Sequence, residues 1–158
     1  MNKKLLSILA ILIVVGSVSA VSAFDLGDIF GSGDEKQTVT IEGLKFNIPE
    51  GYNETKVPDN VSSIFDMFNE NGGNLTVKSF TKNDDDTKVI TITVAGNLSD
   101  SEMEFFGNSN GNKTTIAGIN GTLNKELDDV TVFTYQKDGK AVSISTAGND
   151  VIEEVLKV

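Results

Sequence analysis

The stretch that most constrains the fold runs from Val130 to Val158. Val130, Val132, Thr134 and Gln136 alternate with Thr131, Phe133, Tyr135 and Lys137, and Lys-Asp-Gly-Lys follows. Beyond it Val142 and Ile144 alternate with Ala141, Ser143 and Ser145. Alternation with period 2 on both sides of Asp138-Gly139 predicts a β-hairpin closed by a type I′ turn. That turn needs positive φ at both central residues, which Asp-Gly tolerates. Val151 to Val158 then predicts a short terminal helix, capped by Asn149 or Asp150.

The rest of the chain repeats this style. Thr38–Glu42 and Leu44–Ile48 alternate around Gly43 and predict one bent strand or a tight hairpin. Pro49-Glu50-Gly51 ends them, and 52–60 reads as polar and irregular. Val61, Ile64, Phe65 and Phe68 stand at i, i+3, i+4, i+7, one face of a helix that Asn71-Gly72-Gly73 stops. Leu75–Thr81 and Lys88–Ala95 predict strands joined by a turn at Asn83-Asp84-Asp85-Asp86. Ser99 followed by Glu102 is a capping-box pattern and predicts a short helix over Ser99–Phe106. Lys113–Ala117 and Ile119–Leu123 predict strands meeting at Gly118. Thr40-Ile41-Glu42-Gly43 echoes Thr115-Ile116-Ala117-Gly118, too briefly to define a repeat.

These readings give an α+β fold. An antiparallel sheet of about six or seven strands carries two or three short helices, the C-terminal one included, on one face. The alternative is an all-β sandwich in which the middle helices are loops.

The N-terminus predicts export. Lys3 and Lys4 precede an apolar run from Leu5 to Val15, and Gly16 to Ala23 is small and polar-spotted. Val21-Ser22-Ala23 fits a signal-peptide cleavage site after Ala23. The alternative is an uncleaved membrane anchor over residues 5–23, near the length of about 20 that spans a bilayer. Residues 24–37 read as a flexible linker and 38–158 as a single domain. Without Lys3 and Lys4, 23 acidic residues face 11 lysines. So acidic a surface repels nucleic acid and anionic lipid. The chain has no cysteine, so no disulfide staples the fold.

Phe46-Asn47-Ile48-Pro49-Glu50-Gly51-Tyr52 resembles the opening of small exported domains of the PsbP/Mog1-like kind. The stretch from Thr115 to Gly121, followed by an aromatic strand, the Lys-Asp-Gly-Lys turn and a terminal helix, is similar to the same layout. The resemblance implies a curved antiparallel sheet with flanking helices and an accessory or binding role. It brings no catalytic residues. The lysine-only, asparagine-rich composition is similar to that of exported proteins of methanogenic archaea.

The chain has neither histidine nor cysteine. A Ser-His-Asp triad, a thiol nucleophile and the usual zinc, copper and haem ligand sets are therefore missing. No GxGxxG or P-loop pattern occurs, and no cofactor is expected. Asp84 and Asp86 are candidates for oxygen ligands to a hard cation, against the plainer reading of a polar turn. Phe65, Phe68, Phe105 and Phe106 read as core. Six acceptor patterns for N-glycosylation begin at Asn53, Asn60, Asn74, Asn97, Asn112 and Asn120. Of these Asn53, Asn60 and Asn112 are the better candidates, because Asn74 starts a strand and Asn120 falls in a possible bulge.

The function expected is an exported, non-catalytic binding or accessory module that acts on an envelope protein or polymer. Two alternatives stand beside it. One is a structural surface protein coated with glycans. The other is a small hydrolase working with two carboxylates.

Overall fold

The computed structural model describes residues 37–57, 66, 69, 70, 72–107, 111–125, 130–147 and 151–158. Residues 1–36, Ala23 among them, lie outside the described residues, as do Asn60, Phe65, Phe68, Asn149 and Asp150 and the Phe105 and Phe106 side chains.

Nine strands and two short helices are described. They are β1 (Gln37–Ile41), β2 (Leu44–Ile48), β3 (Tyr52–Thr55), β4 (Asn74–Lys82), β5 (Asp85–Gly96), α1 (Asp100–Gly107), β6 (Asn112–Ile116), β7 (Ile119–Lys125), β8 (Val130–Lys137), β9 (Lys140–Ala147) and α2 (Ile152–Leu156). β1 and β2 pair with each other alone. The other seven form one antiparallel sheet in the order β3-β4-β5-β9-β8-β7-β6. The protein is mostly antiparallel sheet with little helix.

Glycine-closed turns set the local structure. Glu42-Gly43 has φ of 50° and 81°, Ala117-Gly118 of 49° and 80°, and Asp138-Gly139 of 51° and 71°. Both central residues are left-handed in each, the signature of a two-residue type I′ turn. The brief echo in the sequence is thus one turn built twice, and Leu44 pairs Ile41 to make β1–β2 a tight hairpin. A Cβ on Gly139 would meet nothing within 4 Å. Gly139→Val is therefore expected to cost about 1–3 kcal/mol through backbone strain alone. A thermal melt matching wild type within error would remove that account.

The register lines up one continuous apolar face. Ile92 stands opposite Ile144, Ile144 opposite Phe133, and Phe133 opposite Leu123, across four neighbouring strands. The β1–β2 hairpin and α2 cover this face. Phe46, Ile48, Ile152 and Val155 join the same core cluster and are fully buried. Burial of each such side chain stabilises by roughly 1.5–3 kcal/mol.

The opposite face carries small hydroxyls. Ser79 is opposite Thr91 and Thr91 opposite Ser145. Thr93 is opposite Ser143, Ser143 opposite Thr134, and Thr134 opposite Thr122. All of these side chains are buried. α1 lies on this side against β8 and β9, where the Gln136 side-chain amide donates to the Met103 carbonyl. The sequence predicts the helices on one face, and the structure corrects this: α1 lies on the hydroxyl side and α2 on the apolar side. The Ser/Thr stripe is a second packed surface.

Several boundaries differ from expectation. Tyr52–Thr55, read as irregular, is a strand held by pairing with β4. The acidic turn shrinks to Asn83-Asp84, because Asp85 already pairs with Lys82. The middle helix begins as predicted. Ser99 N–H donates to Glu102 Oε2 at 2.8 Å, and the Ser99 hydroxyl donates to the same oxygen at 2.5 Å. α2 has Val151 at its N-cap with no side-chain cap bond, and the expected caps Asn149 and Asp150 lie outside the described residues. Burial of Ile152, Val155 and Leu156 holds this one-turn helix instead. Of the helix expected over 61–68, only Asp66 is described, and Asp66, Asn69 and Glu70 are helical.

Candidate functional site

Strand order and register bring three turns to one end of the molecule. The β8–β9 turn lies beyond Lys137 and Lys140, at the end where Ala141 pairs Ala95. Gly121 pairs Tyr135, so the β6–β7 turn emerges level with the β8–β9 turn. The β1–β2 turn arrives over β4. There Glu42 Oε1 accepts from the Thr76 hydroxyl at 2.6 Å and Glu42 Oε2 accepts from the Asn74 amide at 2.9 Å. Asn97 joins this end with φ of 60°, and its amide donates to the Gly72 carbonyl at 3.0 Å.

Gly43, Gly118 and Gly139 are all exposed, and a Cβ on any of them would meet nothing within 4 Å. Two of these turns thus project from the seven-stranded sheet, and the third from the hairpin packed on it, into open space. Exposed tips on a fixed scaffold are where proteins commonly place contact residues. Beside the glycines, Asn97, Ala117, Lys137 and Asp138 are exposed here, with Glu42 and Lys140 half-buried. Lys137 and Lys140 are the closing pair of their turn. Like charges opposite each other on a strand pair are unfavourable.

Glu42 fastens the β1–β2 hairpin to the sheet. The Thr76 hydroxyl, then the Asn74 amide, and the charge of Lys140 hold its carboxyl below the usual 4.5. A carboxylate with a depressed folded pKa stabilises above its unfolded pKa. That stabilisation fades as pH falls through the folded value. Thermal melts at pH 7 and pH 3 should therefore show a smaller acid-induced drop for Glu42→Gln than for wild type. Equal drops would mean that these bonds do not favour the charged form.

The aspartates of the sequence's acidic turn do not converge. Asp84 is exposed, with φ of 64°. Asp85 Oδ1 accepts from the Thr87 hydroxyl at 2.5 Å, and Asp85 pairs with Lys88 at 2.9 Å. The Thr87 bond first, then Lys88, holds the Asp85 carboxyl below its ordinary value. Asp86 is exposed on β5. Among the described residues no group of three or more acids stands close enough to hold a metal ion.

The sequon asparagines separate by position. Asn53 is on β3 and Asn112 on β6, both exposed. Asn74 and Asn97 donate into the fold through the bonds to Glu42 and Gly72. Asn120 lies on regular β7 opposite Thr115, and its carbonyl accepts from the Thr115 hydroxyl at 2.6 Å. Tyr52 and Tyr135 are buried. Sequence reasoning missed the buried Ser/Thr stripe and the burial of Glu102, 2% exposed on α1. The spacing of Ser99 and Glu102 signalled a cap, and nothing in it signalled burial.

No family model matches this chain, and neither does any curated protein or solved structure.

Proposed function

We propose that the protein is an exported, non-catalytic binding module of the cell envelope, and that it meets its partner through the end where the three glycine-closed turns gather. The observation that carries this is the projection of those turns, open around Gly43, Gly118 and Gly139, from a sheet packed on both faces and from the hairpin that covers one of them. A scaffold so anchored presents contact residues with little ordering cost on binding. Lys3, Lys4, the apolar run and Val21-Ser22-Ala23 support export. Read as an α+β layer of the PsbP/Mog1-like kind, the arrangement fits an accessory protein that works by contact. The partner is an envelope protein or polymer, and the acidic surface disfavours nucleic acid.

The test is affinity capture from detergent-solubilised envelope, with the full processed chain as bait. Three variants accompany it. Lys137→Glu and Asp138→Asn change the charge at the gathered turns. Asp84→Asn makes the matching change at the opposite end, also at a left-handed position. The reading expects one reproducible partner, lost with the first two variants and kept with the third. Capture of nothing above background overturns it. So does equal loss with Asp84→Asn.

A further inference from the structure

The seven-stranded sheet is open. β3 and β6 are its outer strands, and no other strand among the described residues pairs with their outer sides. An outer strand offers unpaired N–H and C=O groups to any passing strand, and natural sheets protect such edges. Here the edges are short, at four and five residues. The sequence of β6 is nevertheless suited to pairing. β6 contains Thr114-Thr115-Ile116, a β-prone run. Lys113 is its one charge.

Each outer strand also holds one N-x-Thr acceptor. Asn53-Glu54-Thr55 falls within β3 and Asn112-Lys113-Thr114 within β6. Both asparagines are exposed, and alternation places each acceptor threonine on the same face as its asparagine. Asn53 gives one amide hydrogen to Asn83 Oδ1 at 2.6 Å, and a primary amide has a second. The other described sequons are not on outer strands. Asn74 opens β4, Asn97 follows β5 and Asn120 is in β7. One acceptor on each open edge is a pattern that the sequence alone does not display, because strand order defines the edges.

We infer that Asn53 and Asn112 are N-glycosylated and that the two glycans protect the sheet's open edges from pairing with another strand. The inference rests on the export reading above. The co-reactant is a glycan linked through C1 to a polyprenyl phosphate or diphosphate carrier, used by a membrane transferase. Asn Nδ2 forms the bond to C1 as the C1–O bond to the carrier breaks. The bonding pair leaves with the carrier phosphate oxygen, the amide loses one proton, and nothing is oxidised or reduced. A bulky, solvated glycan on an outermost strand obstructs the approach to about 4.8 Å that strand pairing requires.

The experiment is N-terminal sequencing, intact-mass measurement and glycopeptide mapping of the protein isolated from its native cells. Asn53→Gln, Asn112→Gln and the double variant are expressed in the same cells. The expected result is a processed N-terminus near Phe24 with one glycan mass at each site. Each single variant should lose one increment. The double variant should form oligomers in light scattering at concentrations where wild type is monomeric. A processed N-terminus with both asparagines bare overturns the inference and leaves export standing. An intact Met1 with bare asparagines overturns both. Glycans at the two sites, with a double variant as monomeric as wild type, overturn the edge-protecting role.

Discussion

Replacing Phe133 with alanine is expected to remove about 3–5 kcal/mol of folding stability. Phe133 has no exposed surface and stands at the middle of β8. It faces Ile144 on one side and Leu123 on the other, so its ring links β9 to β7 across the apolar face. It also stacks on Tyr135, with centroids 5.6 Å apart and planes at 29°. Burial in the same cluster pushes the Tyr135 phenol up to about 12. Truncation removes the ring's transfer free energy and leaves a cavity that two flanking strands, fixed by their own ladders, cannot close. The measurement is urea unfolding followed by far-ultraviolet circular dichroism. A loss below about 1 kcal/mol, the scale of an ordinary substitution, would mean that this face is not the core.

The β8–β9 hairpin was legible in the sequence, which also predicts two strands meeting at Gly118 and a bent strand or a hairpin at Gly43, and the reason is local. Gly43, Gly118 and Gly139 each sit second in a two-residue turn between alternating runs, and the backbone requirement of that turn is written into the residue type. β3 was not legible. Tyr-Asn-Glu-Thr holds one apolar residue, and it is a strand only because β4, some 20 residues further on, pairs with it. The burial of the hydroxyl face was not legible either. Thr91, Thr93, Ser143 and Ser145 alternate with Ile90, Ile92, Val142 and Ile144 as a half-solvated sheet does. Yet threonine and serine are small enough to pack, and both faces are buried. This has a cost: Thr93 Oγ1 and Ser143 Oγ lie side by side on β5 and β9 with no hydrogen-bond partner. The candidate site was visible only in fragments. Its turns could be read singly, but their meeting depends on β5 pairing with β9, about 50 residues away, and on β3 and β6 ending outermost. No local pattern encodes that order.

Gly121→Val is expected to destabilise by about 3 kcal/mol, the upper end of what overpacking costs. Gly121 pairs Tyr135 and is half-buried in β7. A Cβ there would lie 2.5 Å from the Thr134 carbonyl oxygen and 2.6 Å from Phe133 Cζ. The first contact is backbone within a paired strand and cannot move without breaking the ladder. The second is an aromatic ring with no exposed surface. Glycine is thus required by the ring packed over it. Gly139 is different, because its requirement is conformational. The distinction is measurable with Gly121→Ala and Phe133→Ala alone and together. Without the ring, half of the clash disappears while the carbonyl contact remains. The double variant should therefore be more stable than the sum of the two single losses predicts, because contacting residues couple. Additive losses would show that the ring does not press on Gly121 and that the carbonyl contact alone sets the cost.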